Sequence, residues 1–136
     1  MPGCVLNIFG TEFDVEGYLS NTPFRTCAVW RKGETKFKGR PASKRSGFNV
    51  VVSEAPGSAF SVQVQDATEF LGKHQVEIKH LTSHYEIDDM TLDFGLDLGD
   101  DPVQVFLIPI SLSNLCASLN VRIALSVYLS WEGLKD

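Results

Sequence analysis

The chain has 136 residues, 43% of them hydrophobic and 21% charged, with 12 Lys and Arg against 17 Asp and Glu for a formal net charge of −5. Those proportions suit one ordinary globular domain and exclude a disordered chain, a collagen and a coiled coil. No apolar run is long enough to cross a bilayer and no charged-then-apolar leader opens the chain, so a cytoplasmic protein without a membrane segment is expected.

Residues 4–9 form a short apolar run with β-branched members, the pattern of a buried strand, broken by Gly10 and Thr11. Asp14 behind the apolar Phe13 is a helix-start signature, and Asn21, Thr22 and Pro23 end the turn or two that follow. A strand over 24–30 then enters a basic stretch. Gly33, Gly39, Pro41 and Ser43 punctuate it, so it reads as a long exposed hairpin-like connection to a strand over 47–53. From 59 to 85, Phe60, Val64, Ala67, Leu71, Ile78, Leu81 and Tyr85 fall on one helical stripe, with His74 at the stripe position between Leu71 and Ile78. Gly72 beside it predicts a break over 72–75 and hence two helices.

After Glu86 the period falls to two. Met90, Leu92, Phe94, Leu96 and Leu98 alternate with Thr91, Asp93, Gly95 and Asp97, a strand with one buried and one wet face. Residues 99–102 read as the turn of a hairpin, and the nearly continuous apolar run over 103–110 as a central strand buried on both faces, with Pro109 near its end. Ser113 is expected to cap a short helix through 119; an alternating strand over 121–129 and a tail over 131–136 follow. The order β-α-β-β-α-α-β-β-α-β within a single domain, residues 1–136, predicts an α+β fold: a mixed, largely antiparallel sheet of about six strands with helices packed on one face.

Several features stand in a recognisable order: Phe13-Asp14-Val15 before a short helix, Ser20-Asn21-Thr22-Pro23, then Trp30-Arg31-Lys32-Gly33-Glu34, an aromatic at Phe48, a long helical middle, and Leu112-Ser113 before the closing strand. In this the chain resembles the bacterial domain-of-unknown-function family numbered 4279. The resemblance covers almost the whole chain, with Trp30 to Glu34 its most specific part. It implies a compact bacterial α+β domain and carries no catalytic set onto these positions.

Cys4, Cys27 and Cys116 are odd in number and far apart, which argues against a disulfide framework or a structural zinc site; they read as small buried hydrophobes. Glu77, His80 and His84 could share one helix face, but the spacing lacks the H-E-x-x-H arrangement, and surface histidines are the simpler reading. Adjacent acids such as Asp88 and Asp89 point to opposite sides of a strand, so they do not converge on one substrate. The sequence holds no nucleophile elbow, P-loop or dinucleotide fingerprint. No catalytic residue, cofactor site or metal ligand is expected.

The charges are segregated. Residues 25–45 hold eight of the 12 basic residues against one acid, and residues 86–101 hold seven acids and no base. Such a layout steers charged partners. The leading expectation is a non-enzymatic protein-binding module acting through Asp88, Asp89, Asp93, Asp97, Asp100 and Asp101 on one side and Trp30, Arg31, Lys32 and Arg40 on the other. The acidic stretch would cover a basic site on a toxin, as an immunity-type inhibitor does. Alternatively the basic loop of one copy would dock on the acidic stretch of a second, giving a dimer. A nucleic-acid binder using the 31–45 loop, with Trp30 or Phe37 stacking on bases, is the alternative, against which the negative net charge counts; a small metal-dependent enzyme is the third.

Overall fold

The computed structural model describes residues 3–35 and 38–129. The elements in chain order are β1 (Gly3–Gly10), α1 (Val15–Leu19), β2 (Thr26–Trp30), β3 (Ser46–Ser53), α2 (Phe60–Lys73), α3 (Gln75–His84), β4 (Asp89–Asp97), α4 (Ile110–Ser118) and β5 (Arg122–Tyr128). The strands form one sheet in the order β2-β3-β1-β4-β5. Neighbours are antiparallel except β4 and β5, which run parallel.

Period-two alternation decides which sheet face is covered. Leu6 and Ile8 of β1, Phe48 of β3, and Leu92, Phe94 and Leu96 of β4 are fully buried on one side. Onto them the helices bring Tyr18 from α1, Ala67 and Leu71 from α2, Ile78 and Leu81 from α3, and Leu112 from α4. Each such large side chain contributes about 1.5–3 kcal/mol by leaving water. All four helices therefore lie on one side of the sheet. No helix of the described residues is long and apolar enough to cross a membrane.

Local signals act where they were expected. The Asp14 carboxylate accepts the Gly17 N–H at 3.0 Å and starts α1. The helical middle breaks at His74, whose ring packs on Phe24 and Phe70 with centroids 5.2 and 4.5 Å away. Beyond it the stripe resumes with Ile78 and Leu81.

Three expectations need correction. The sheet has five strands among the described residues, because the 103–110 run pairs with nothing. Both edges of β4 are occupied, one by β1 and the other by β5, so no hairpin partner can lie beside it. The turn after β4 is closed instead by the Gln104 side chain, which accepts the Gly99 N–H at 3.2 Å and donates to the Gly99 carbonyl at 2.9 Å. The last helix begins at Ile110 with Pro109 at its N-cap, so Ser113 lies within α4 and does not cap it. Finally, Cys4 and Cys116 are buried, but Cys27 is exposed on edge strand β2. The expected tail over 131–136 lies outside the described residues, as does Phe37.

Candidate recognition face

The sheet face opposite the helices is built from the alternate residues of the same strands. Its first band begins with Trp30 of β2 and Phe9 of β1, both paired with Gly47 of the strand between them. A glycine is required there: a Cβ at Gly47 would fall 2.3 Å from the Phe9 ring. With nothing projecting from Gly47, the two rings close over it at a centroid distance of 5.2 Å. The Arg45 guanidinium lies over the other part of this cluster, 5.2 Å from the Phe9 centroid, a cation–π arrangement.

The band continues across the sheet through charge. Asp89, paired with Phe9 in register, receives Arg122 at 2.8 Å and Arg45 at 3.5 Å, and its other contact is the Thr91 hydroxyl at 2.7 Å. Burial alone would push the Asp89 carboxyl up; the hydrogen bonds from Thr91 and Arg122 and the two positive charges outweigh it and hold it below its ordinary value. Next to this band stands a row of amides and hydroxyl, Asn49, Asn7 and Thr91, in mutual register. The Asn49 side chain accepts the Ala28 N–H at 2.9 Å, across a register shift in β2. Farther along, Asp93 accepts the Ser126 hydroxyl at 2.7 Å.

The two charged stretches thus meet inside one molecule at Arg45 and Asp89, rather than standing wholly apart. Other members are also engaged. Arg31 pairs with Glu16 and Lys32 with Glu12. Asp88 accepts both the backbone N–H and the hydroxyl of Thr11, which together pull its carboxyl below the usual range. Asp97 closes the far end of β4 against Gly57, while Asp100 and Asp101 stand exposed in the turn beyond. Arg40, with Lys38 and Lys44, is exposed and makes no ion pair among the described residues. Surface pairs of this kind are each worth about 0–1 kcal/mol, so they orient side chains more than they stabilise the fold.

The sequence reading did not single out Phe9, Arg45, Gly47, Asn7, Asn49 and Arg122. The signal available was the alternation itself: Phe9 falls on the opposite parity from buried Leu6 and Ile8 in its own strand.

Among the described residues, reactive groups elsewhere do not assemble. Burial pushes the Cys116 thiol up to about 11 and raises Cys4 further, so both are inert at neutral pH. Glu77 is held by the Tyr18 hydroxyl, and His80 and His84 stack on each other at 4.3 Å, so this trio does not converge. Among the described residues no group of three His, Cys, Asp or Glu is placed to hold a metal ion. A cleft of about 940 Å³ opens between the β2–β3 edge and α2, lined by Cys27, Val52, Asp66, Phe70 and His74 among others. The Asp66 carboxylate accepts the Ser53 hydroxyl at 2.6 Å, and burial together with neighbouring Lys73 holds His74 toward its neutral form. Comparison of the chain with protein-family models, with curated proteins and with solved structures finds no match.

Proposed function

We propose that this chain is a non-enzymatic protein-binding module that recognises its partner on the helix-free face of the sheet. The observation that carries the reading is the band running from Trp30 and Phe9 through Arg45 to Asp89 and Arg122. Aromatic and arginine side chains held in place by a rigid sheet are the anchors that protein interfaces use, because they bring large contact area with little freedom to lose. Charges of both signs in one band suit a protein surface better than a uniformly anionic polymer. The resemblance to the family numbered 4279 is compatible with the same reading, since it implies a compact α+β domain and carries no catalytic set onto these positions. An immunity-type inhibitor covering a toxin is one form of such a module.

Affinity capture with the purified chain tests the proposal. The retained protein should be lost with Trp30→Ala and with Arg45→Glu, and kept with Asp100→Lys plus Asp101→Lys, which alters the acidic turn only. Loss in the acidic-turn variant with retention in the other two would move the interface to the 86–101 stretch. One observation favours a nucleic-acid reading: exposed Lys38, Arg40 and Lys44 lie in the loop that follows Trp30. Fluorescence anisotropy with a random single strand addresses it. Salt-sensitive binding abolished by Lys38→Glu plus Arg40→Glu would favour that alternative over a protein partner.

A further inference from the structure

A second surface lies away from the recognition face, in the segment that joins β4 to α4. Between Pro102 and Pro109 the chain alternates. Phe106 turns inward, edge-on to Phe60 at 5.6 Å, and Ile108 packs against the core. Val103, Val105 and Leu107 turn outward and are 75%, 71% and 78% exposed, as is Ile110 at 77%. This is the side-chain pattern of a β-strand. Yet among the described residues the backbone N–H and C=O groups from Val103 to Ile108 enter no hydrogen bond. The segment is also held in place at both ends, by the Gln104 clasp on Gly99 and by the start of α4.

Natural edge strands are guarded by charges, and this one is not: no charged residue occurs from 102 to 121. In a molecule of net charge −5, an uncharged strip is where two copies can approach without like-charge repulsion. In an antiparallel pair the outward Val103, Val105 and Leu107 of one copy stand beside those of the other, so each covers part of its neighbour's apolar surface.

We infer that residues 103–107 pair with the same residues of a second copy as an antiparallel two-stranded ribbon centred on Val105, making the protein a two-fold dimer. The register follows from the geometry. Antiparallel neighbours must share a face, so outward residues oppose outward ones: Val103 faces Leu107, and Val105 faces its own copy. Centring on Val105 leaves Pro102 and Pro109, which have no N–H to donate, just outside the paired stretch. The two-fold closes this edge of the segment at two copies. This surface is separate from the proposed recognition face and does not depend on it.

Sedimentation equilibrium of the full chain should show a dimer at micromolar concentration, weakened at least tenfold by Val105→Lys with unchanged circular dichroism. A second measurement covers loss of fold in that variant. In a Cys27→Ser background, Val105→Cys oxidised with copper phenanthroline should yield a disulfide-linked dimer, because opposed Cβ atoms at a two-fold lie within disulfide reach. Val76→Cys, equally accessible at 84% exposed on α3, should not. A monomeric wild-type chain at ~100 µM, a dimer that persists in Val105→Lys, or crosslinking of the Val76→Cys variant equal to that of the Val105→Cys variant would each overturn the inference.

Discussion

Gln63 is fully buried on α2, and its amide joins three parts of the fold. Its Nε2 lies 3.1 Å from the Ala55 carbonyl, 3.2 Å from that of Pro56 and 3.0 Å from that of Gly95 in β4. It thereby fixes the loop that leads into α2 and seats α2 on the sheet. Replacement by methionine keeps the volume and removes the donors. Two N–H groups can make two full bonds at about 1 kcal/mol net each, so the gross loss is about 2 kcal/mol. Two terms reduce it. The Pro56 carbonyl keeps the Ala59 N–H at 2.9 Å. The Gln63 Oε1, buried without a partner, disappears along with its desolvation cost. The expected destabilisation for Gln63→Met is therefore about 1–2 kcal/mol. Gln63→Ala adds a cavity and should cost about 3–4 kcal/mol in total. Gln63→Glu places an anion among carbonyl oxygens and should be the most damaging of the three at neutral pH. Urea unfolding with unchanged slope measures each. The reasoning fails if the methionine variant matches wild type within about 0.3 kcal/mol, or if the glutamate variant is as stable as the methionine one.

Other outcomes follow from the same geometry. Leu92→Ala, at a fully buried site on the helix-covered face of β4, should lower stability by about 2–5 kcal/mol in the same assay, and a loss under about 1 kcal/mol would contradict the packing described. Acid should weaken the fold through Asp88 and Asp89. Both carboxyls sit below their ordinary value of 3.8, so the unfolded chain takes up protons first. Their contribution is whole above that value and is lost as pH falls through the folded values. Asp89→Asn should flatten part of this acid limb in a pH series of thermal midpoints; an unaltered limb would show that the Arg122 and Arg45 pairs do not hold in solution. His74 acts in a higher window. Its folded value lies below 6.5, so its contribution is complete above 6.5 and declines as pH falls beneath it, and His74→Phe should remove that decline.

How much of the site was legible can be judged residue by residue. The acids and bases were visible as two runs along the chain, but spacing along a chain says nothing about which charges face each other across a sheet. Asp89 meets Arg45 and Arg122, 44 and 33 positions away, only because β4 lies between β1 and β5 and its register sets these neighbours. The ring pair of Trp30 and Phe9 depends likewise on Gly47 occupying the strand between them.

The amino-acid order by itself determined what depends on near neighbours. The helical stripe with its break at His74, the alternation from Met90 to Leu96 and the Asp14 cap were all readable, since residues a few positions apart set helix faces, strand faces and first-turn hydrogen bonds. Tertiary structure alone decided the fate of 103–110. An apolar run lowers its energy wherever it leaves water, so hydrophobicity cannot distinguish a central strand from an unpaired extended one. That difference rests on whether a neighbouring strand still has an open edge, and β4, flanked on both sides, has none.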